Sequence, residues 1–171
     1  MNRYTSSLGL SGDLRIYSVP RALARHIEWA LNAIFGRPLS IVWLDQKLSP
    51  GTYAMEYQWR SNTAFASKIA STLRGWHFLR FEVREFSTTS GEGAFYRYTP
   101  DLGMHQATTL STGDIAIHEN RLMTALENSR SYESLRTAVE QALGVAWDFE
   151  LEGYRRGLQM GEIEKVVKLT V

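Results

Sequence analysis

Residues 13–86 alternate between strand-like and helix-like hydrophobic patterns, and this order constrains the fold more than any other feature of the sequence. Apolar and polar side chains alternate along residues 13–19 and 52–59, as they do in half-buried strands. Residues 39–44 and 76–86 are rich in the apolar and aromatic side chains that strands favour. These four segments are the predicted strands of the first half.

Two amphipathic helices separate these strands. Leu23, Ile27 and Leu31 recur at the three- and four-residue spacing of a single helix face. A second stripe with this spacing follows residues 61–63, any of which can cap a helix. That stripe consists of Phe65, Ile69 and Leu73.

The resulting order, strand–helix–strand–strand–helix–strand, is that of the ferredoxin-like fold. Right-handed crossovers close it into an antiparallel sheet with both helices on one face. We therefore predict an α+β protein with a flexible N-terminus at 1–12 and a ferredoxin-like half at 13–86. The polar Gly/Ser-rich loop at 87–93 separates this half from a second α+β half at 94–171.

The second half predicts a mixture of hairpin and helices that packs with the first half around a shared core, in one compact domain. Ser131 is a predicted helix cap, and Gly144 is the predicted end of that helix. Residues 146–154 fit either a helix or a strand. Residues 162–171 are rich in β-branched side chains and are predicted as a final strand.

Composition excludes several classes of function. The 171 residues contain no Cys, which excludes a disulfide scaffold, a thiolate metal site and a Cys nucleophile. The net charge of +1 does not indicate bulk attraction to nucleic acid or membranes. No apolar run approaches the about 20 residues of a membrane-spanning helix, so a cytoplasmic protein without membrane contact is expected.

Charge is distributed unevenly along the chain. Residues 1–90 hold 11 basic and 6 acidic side chains, and residues 91–171 hold 8 and 12. Such asymmetry favours docking of the two halves on each other, or head-to-tail or antiparallel association of two chains. It is also compatible with ordinary solvated faces.

No catalytic residue, cofactor or metal is predicted from the spacing of reactive side chains. The four histidines fall in four separate predicted elements, without the spacing typical of metal ligands. Three carboxylates at Asp148, Glu150 and Glu152 would align for a cation site in an extended segment. On a helix, Glu150 would point away from the other two, and the group would be a solvated acidic face.

One segment approximates an RNA-recognition octamer. Residues 74–81, RGWHFLRF, approach the basic-Gly-aromatic-x-Phe-Val-x-aromatic pattern, with departures at Trp76, His77 and Leu79. In that module the octamer lies on the third strand, where its aromatic rings stack on bases. Here it straddles the end of the second predicted helix and the fourth strand, so nucleic acid is not the expected partner.

Five tryptophans are many for a chain of this length, and they are Trp29, Trp43, Trp59, Trp76 and Trp147. Large aromatic side chains belong first of all in cores and interfaces. An aromatic-rich outer sheet face must be covered. The second half is the first candidate for that cover, followed by a second subunit and then by a ligand.

Five segments carry a family resemblance. They are HIEWA at 26–30, LRGW at 73–76 with LRFEV at 79–83, YTP at 98–100 with LG at 102–103, GDI at 113–115 with Glu119 and RL at 121–122, and LG at 143–144 with WD at 147–148 and ELE at 150–152. Together they resemble an actinobacterial family, Domain of Unknown Function 3145, in order and spacing over residues 14–152. The resemblance implies no reaction, cofactor or binding residue. It implies at most a partner in acyl metabolism, which no residue of the chain supports.

The function expected from the sequence is that of a non-enzymatic binding or regulatory module that acts through another protein or through self-association, with a homodimer as one form. Abundant aromatic residues and the lack of a catalytic arrangement favour this interpretation. The alternative is an enzyme or small-molecule-binding protein with a pocket between the halves. Its candidate ligand-binding residues, which should then converge, are His26, Glu28, Arg80, His118 and Asp148.

Overall fold

The computed structural model describes residues 9–170, and the side chains of residues 9–166. Within that range the chain forms one seven-stranded antiparallel sheet and five α-helices, which confirms the α+β class. The elements in chain order are β1 (Leu10–Pro20), a 3₁₀ turn (Arg21–Leu23), α1 (Ala24–Phe35), β2 (Leu44–Asp45), β3 (Thr52–Ser61), α2 (Ala66–Leu73), β4 (Arg80–Ser87), β5 (Glu92–Thr99), β6 (Gly103–Leu110), β7 (Ile115–Ala116), α3 (Glu119–Asn128), α4 (Tyr132–Leu143) and α5 (Val145–Thr170).

The strand order across the sheet is β2-β3-β1-β4-β5-β6-β7. β4 and β5 pair in register from Phe81 opposite Tyr98 to Phe86 opposite Gly93. The polar loop expected between the halves is therefore the tip of a hairpin inside a continuous sheet. Of the N-terminal segment 1–12, residues 1–8 lie outside the described part of the chain, and β1 already begins at Leu10.

α1 and α2 cover one face of the sheet and bury the larger hydrophobic core, here called the first core. Ile27 and Leu31 of α1 and Ile69 and Leu73 of α2 are fully buried there. Leu23 and Phe65 pack against the same cluster, so the two predicted helical stripes lie on the same side, as expected. Burial of each such aliphatic side chain contributes roughly 1.5–3 kcal/mol.

Two strands are shorter than their sequences predict. β2 is only Leu44–Asp45, because Leu39, Ile41 and Trp43 pack against the first core in a segment that precedes the strand. β4 begins at Arg80, because residues 76–79 form a turn in which the Leu79 amide donates to the Trp76 carbonyl at 3.0 Å.

The N-terminus of α2 is capped from the sheet rather than by the expected polar residues at 61–63. The buried Glu85 carboxylate on β4 accepts from the Phe65 amide at 2.9 Å, from the Ala66 amide at 3.4 Å and from the Trp59 indole at 3.1 Å. A helix N-terminus presents unpaired amides and a positive dipole end, which a carboxylate satisfies. This long-range cap ties α2 to β4.

α5 covers the opposite face of the sheet. It settles residues 146–154 as helix, and it contradicts the final strand predicted at 162–171, because the helix continues to Thr170. Leu151 and Leu158 of α5 form a second buried cluster with Tyr17 and Ala54 of the sheet. The helix continues past this contact, although Ile163 and Val166 are each 64% exposed and β-branched side chains favour strands.

Glycines at four-residue intervals let α5 approach the segment before β3. A Cβ on Gly157 would lie 1.9 Å from the Gln46 side-chain oxygen, and one on Gly153 would lie 3.0 Å from Leu48. Gln46 is itself fixed, since its side chain bonds to the Tyr17 carbonyl at 2.7 Å and to the Leu48 amide at 3.0 Å. Each glycine inside a helix costs about 1 kcal/mol relative to alanine, so close contact offsets that cost here.

Gly157→Ala is predicted to destabilise the protein by about 1–3 kcal/mol, because the new methyl group displaces Gln46 from its buried hydrogen bonds. Gly161→Ala is the matched control on the same helix, since its Cβ would meet neighbours only at 3.5 Å or more. Chemical denaturation should show the control as neutral or stabilised by up to about 1 kcal/mol. Equal effects of the two substitutions would contradict the close approach of α5.

Candidate functional site

Two charged side chains are buried on the sheet face that α5 covers. Glu82 on β4 is 1% exposed, and Arg97 on β5 is 0% exposed. Glu82 reaches this face because its neighbours Phe81 and Val83 point into the first core, and side chains alternate along a strand. Since an unpaired buried charge costs several kcal/mol, each of the two requires partners.

Glu82 is paired from both the sheet and the helix. The Tyr17 hydroxyl donates to its carboxylate at 2.5 Å, and the Arg155 guanidinium of α5 forms an ion pair with it. Arg155 also donates to Asp148 at 2.8 Å. Burial and the Glu82 charge raise the pKa of the Tyr17 phenol. Burial opposes the charge on Arg155, but Glu82 and Asp148 outweigh it and raise the Arg155 pKa.

Arg97 holds the end of α4 and the start of α5 together. One of its terminal nitrogens lies 2.7 Å from Asp148 of α5, and the other donates to the Leu143 carbonyl at 2.6 Å. The second nitrogen is also 3.0 Å from His105 Nδ1, while His105 Nε2 is 3.0 Å from the Ala142 carbonyl. Because arginine only donates, Nδ1 of His105 must accept, and the ring proton is on Nε2.

The turn between α4 and α5 packs directly against the side chains of Arg97 and His105. Gly144 ends α4 in the left-handed conformation, with φ +74°. A Cβ at this position would lie 2.0 Å from Arg97 and 2.8 Å from His105. Ser131 caps the other end of α4 as predicted, in a capping box with Ser134. The buried charges therefore set where α4 stops and where α5 begins.

Asp148 is the acidic centre of this network. Burial opposes its ionisation, but hydrogen bonds and charge from Arg155 and Arg97 outweigh burial and lower its pKa. Glu152 lies on the same helix face, 3.6 Å from Arg155, whereas Glu150 points elsewhere and bonds to Arg80 at 2.9 Å. The three carboxylates therefore follow the helical alternative. Residues 9–166 contain no cluster of three or more potential metal ligands.

The five candidate ligand-binding residues do not converge on one cleft. His26 and Glu28 lie on α1, above the first core, where Glu28 accepts from the Trp43 indole at 2.6 Å. Arg80 contacts α5 through Glu150, whereas Asp148 belongs to α5 and pairs with Arg97. His118 is exposed at the start of α3, 3.1 Å from Thr108. A role for any one of them in binding stays a prediction.

Sequence reasoning missed the residues that organise this face. Glu82, Arg97 and His105 look like ordinary polar members of amphipathic strands, because nothing local marks which sheet face a helix covers. The repeat of glycine at 153, 157 and 161 is a signal that could have located α5 against the body of the protein, since three glycines inside one helix indicate close packing.

An open apolar groove borders the network on its outer side. It has a volume of about 770 Å³ and lies between the β5–β6 turn, the end of α4 and the start of α5. Trp147 forms part of the wall and is fixed by a 2.9 Å bond from its indole to the Gly103 carbonyl. Phe149 is 88% exposed at this groove, and Leu102 and Val145 are also exposed.

α3 presents a second exposed apolar feature beside α4. None of its ten residues is buried. Leu122, Met123 and Leu126 lie at helical spacing and are all exposed. We call these three residues, together with Leu102, Val145 and Phe149 of the groove, the α3–α5 surface.

Comparison with known proteins identifies the chain by family. Residues 14–168 match the family model described as a protein of unknown function, DUF3145. The match spans most of the chain, and the protein belongs to that family. No curated protein and no solved structure matches the chain. None of the described helices is long and apolar enough to cross a membrane.

The protein is predicted to lose stability as pH falls through the ordinary titration range of histidine. Burial and the Arg97 charge lower the pKa of His105 in the folded state, against the opposing bond to Ala142. The unfolded chain therefore binds the proton more readily, and the free energy of unfolding decreases below about pH 6.5. One proton contributes a slope of at most about 1.4 kcal/mol per pH unit.

Denaturation of His105→Gln from pH 7 to pH 5 measures this contribution, because the glutamine amide keeps a donor and an acceptor without titrating. We expect a flatter pH profile than that of the natural protein. An unaltered profile in His105→Gln would contradict a neutral, buried His105.

Proposed function

We propose that this member of the DUF3145 family is a non-enzymatic binding module that self-associates through its α3–α5 surface. The observation that carries the proposal is the exposure of Phe149 at the mouth of an apolar groove, beside a helix that buries none of its residues. Exposed apolar patches are typical of protein interfaces.

The helix α3 needs a packing partner for its apolar face. A ten-residue helix is marginal in water, and most helical stability in proteins comes from packing an apolar face. The apolar face of α3 points to solvent in the single chain. A second copy that packs on this face removes Leu122, Met123 and Leu126 from water.

The chain supplies both complementary shapes that such an interface needs. The exposed stripe of α3 is convex, and the groove between α4 and α5 is concave and lined mainly by apolar residues. Helix-in-groove packing is a common mode of recognition. Two copies can each offer a stripe and a groove, as a two-fold interface requires.

Charge around the surface favours a second copy over a strongly charged partner. Residues 119–140 hold three basic and four acidic side chains, so two copies are not strongly repelled. Arg136 and Glu140 already pair at 2.7 Å on α4. Mixed charges of this kind let one copy present either sign to the other.

A small apolar ligand is the second candidate for the groove. Its volume of about 770 Å³ lies within the range of ligand pockets, and Leu102, Val145 and Trp147 provide an apolar wall. RNA has less support, because Phe81 of the octamer is fully buried in the first core. A partner in acyl metabolism and a cytoplasmic location stay predictions from the sequence.

We also propose that residues 13–86 are a ferredoxin-like unit to which the family adds three strands and three helices. The order β2-β3-β1-β4 and the shared face of α1 and α2 support this description. The added strands extend the sheet from β4, and α5 covers the face that the first two helices leave open.

Phe149→Glu and Leu126→Glu are each predicted to shift the protein towards the monomer. Charge in an apolar interface should raise the dissociation constant at least about thirtyfold, equivalent to about 2 kcal/mol. Val42→Glu introduces the same charge at an exposed valine near β2 and serves as the control. Analytical ultracentrifugation over a range of concentrations measures the three variants beside the natural protein.

The natural protein and Val42→Glu should show the same increase of mass with concentration. A natural protein that sediments as a monomer at every concentration would contradict self-association. In that case, a thermal shift of the natural protein with medium-chain fatty acids, absent in Phe149→Glu, would favour the ligand alternative instead.

A further inference from the structure

A separate cluster of aromatic rings and arginines lies at the start of α1 and in the turn after α2. The His26 ring lies 5.1 Å from the Trp29 ring in an edge-on contact and 6.2 Å from the stacked Trp76 ring. Trp29 is 59% exposed, and Phe78 in the same turn as Trp76 is 67% exposed. Rings held against each other in this way keep their positions while part of their surface faces solvent.

Two arginines lie next to these rings in the sequence. Arg25 precedes His26, and Arg74 precedes the turn that holds Trp76; both side chains are exposed, and neither forms an ion pair within residues 9–166. We call the cluster the aromatic–basic patch; it consists of Arg25, His26, Trp29, Arg74, Trp76 and Phe78.

The carboxylates of this part of the chain are engaged elsewhere. Residues 21–80 contain only three. Glu28 accepts from the Trp43 indole at 2.6 Å, Asp45 pairs with Arg21 at 2.5 Å, and Glu56 pairs with Arg15 at 3.3 Å. The six residues of the patch include two arginines and no carboxylate, so the patch itself is positively charged.

We propose that the aromatic–basic patch binds an acidic segment of a partner protein. Trp and Arg are the residue types that contribute most to protein–protein binding energy, above all where they cluster. Each arginine fork can take a carboxylate in a bidentate pair. Trp29 and Phe78 offer apolar surface to a side chain between the acidic residues of the segment.

The composition of the patch argues against the other polyanions and against a second copy. Binding of single-stranded nucleic acid uses a row of cations along the backbone, whereas two arginines flank the rings here, in a chain of net charge +1. A basic residue near an anionic membrane contributes only about 1 kcal/mol, so two give weak attachment. Two copies of the patch would repel each other, unlike two copies of the α3–α5 surface.

The turn at 76–79 explains why these rings are on the surface at all. Leu79 and Phe81 are fully buried in the first core, while the side chain of Phe78 is exposed to solvent. The sequence that approximates the RNA-recognition octamer is thus divided between core and surface. Its outward residues belong to the patch and not to the open face of a sheet.

The direct test is binding of a fluorescein-labelled random copolymer of Glu and Tyr, measured by fluorescence anisotropy with the full chain. The natural protein should bind it, and Trp29→Ala and the pair Arg25→Glu/Arg74→Glu should each weaken binding at least about tenfold. The pair Arg60→Glu/Lys68→Glu is the control, because it reverses two exposed, unpaired charges of the same sign outside the patch. It should change the affinity by less than about threefold.

Four results would overturn the proposal. The first is no binding of the copolymer by the natural protein at low salt, and the second is an equal loss in the control pair. The third is tighter binding of oligo(dT) or of phosphatidylserine vesicles with the same dependence on Arg25 and Arg74. The fourth is a change in sedimentation mass in Arg25→Glu/Arg74→Glu, which would assign the patch to self-association. Loss of association in Phe149→Glu with unchanged copolymer binding separates this site from the α3–α5 surface.

Discussion

The ion pairs of Glu82 with Arg155 and of Arg97 with Asp148 are the interactions on which the rest of the structure depends. A sheet face that carries buried charges can be covered only by an element that brings matching charges to the right positions. α5 does so with two side chains seven residues apart, and its glycines let it lie close to the segment before β3. Removing Arg155 or Asp148 would leave the buried charge of Glu82 or Arg97 without its ion-pair partner, so the network fixes the helix in one place.

The position of α5 determines the shape of the protein surface around the groove. Arg97 and His105 hold the carbonyls at the end of α4, and Gly144 allows the chain to turn directly into α5. This turn sets the angle between the two helices and opens the groove at Phe149. The buried charged residues therefore fix the positions of α4 and α5, and these positions determine which apolar side chains of the two helices are exposed.

The helices α1, α2 and α4 could be predicted from the sequence because their signals are local. The stripes of α1 and α2, the Ser131 cap and the Gly144 helix end are each encoded within a few residues. The C-terminal helix could not be, because its β-branched residues suggest a strand, whereas the residues that pack α5 on the sheet, Leu151 and Leu158, precede them. Glu85 as the cap of α2, and Glu82 and Arg97 as buried charges, depend on partners up to 73 residues away in the chain, and the candidate residues chosen by type alone did not include them.

α3 is the most informative element for this interface, since the described part of the chain buries none of its residues. Amide hydrogen exchange, measured residue by residue at several protein concentrations, tests this directly. We predict that protection of Glu119–Asn128 rises with protein concentration, because a second copy covers the helix. Protection of α3 that is the same at every concentration would contradict the claim that a second copy covers this helix.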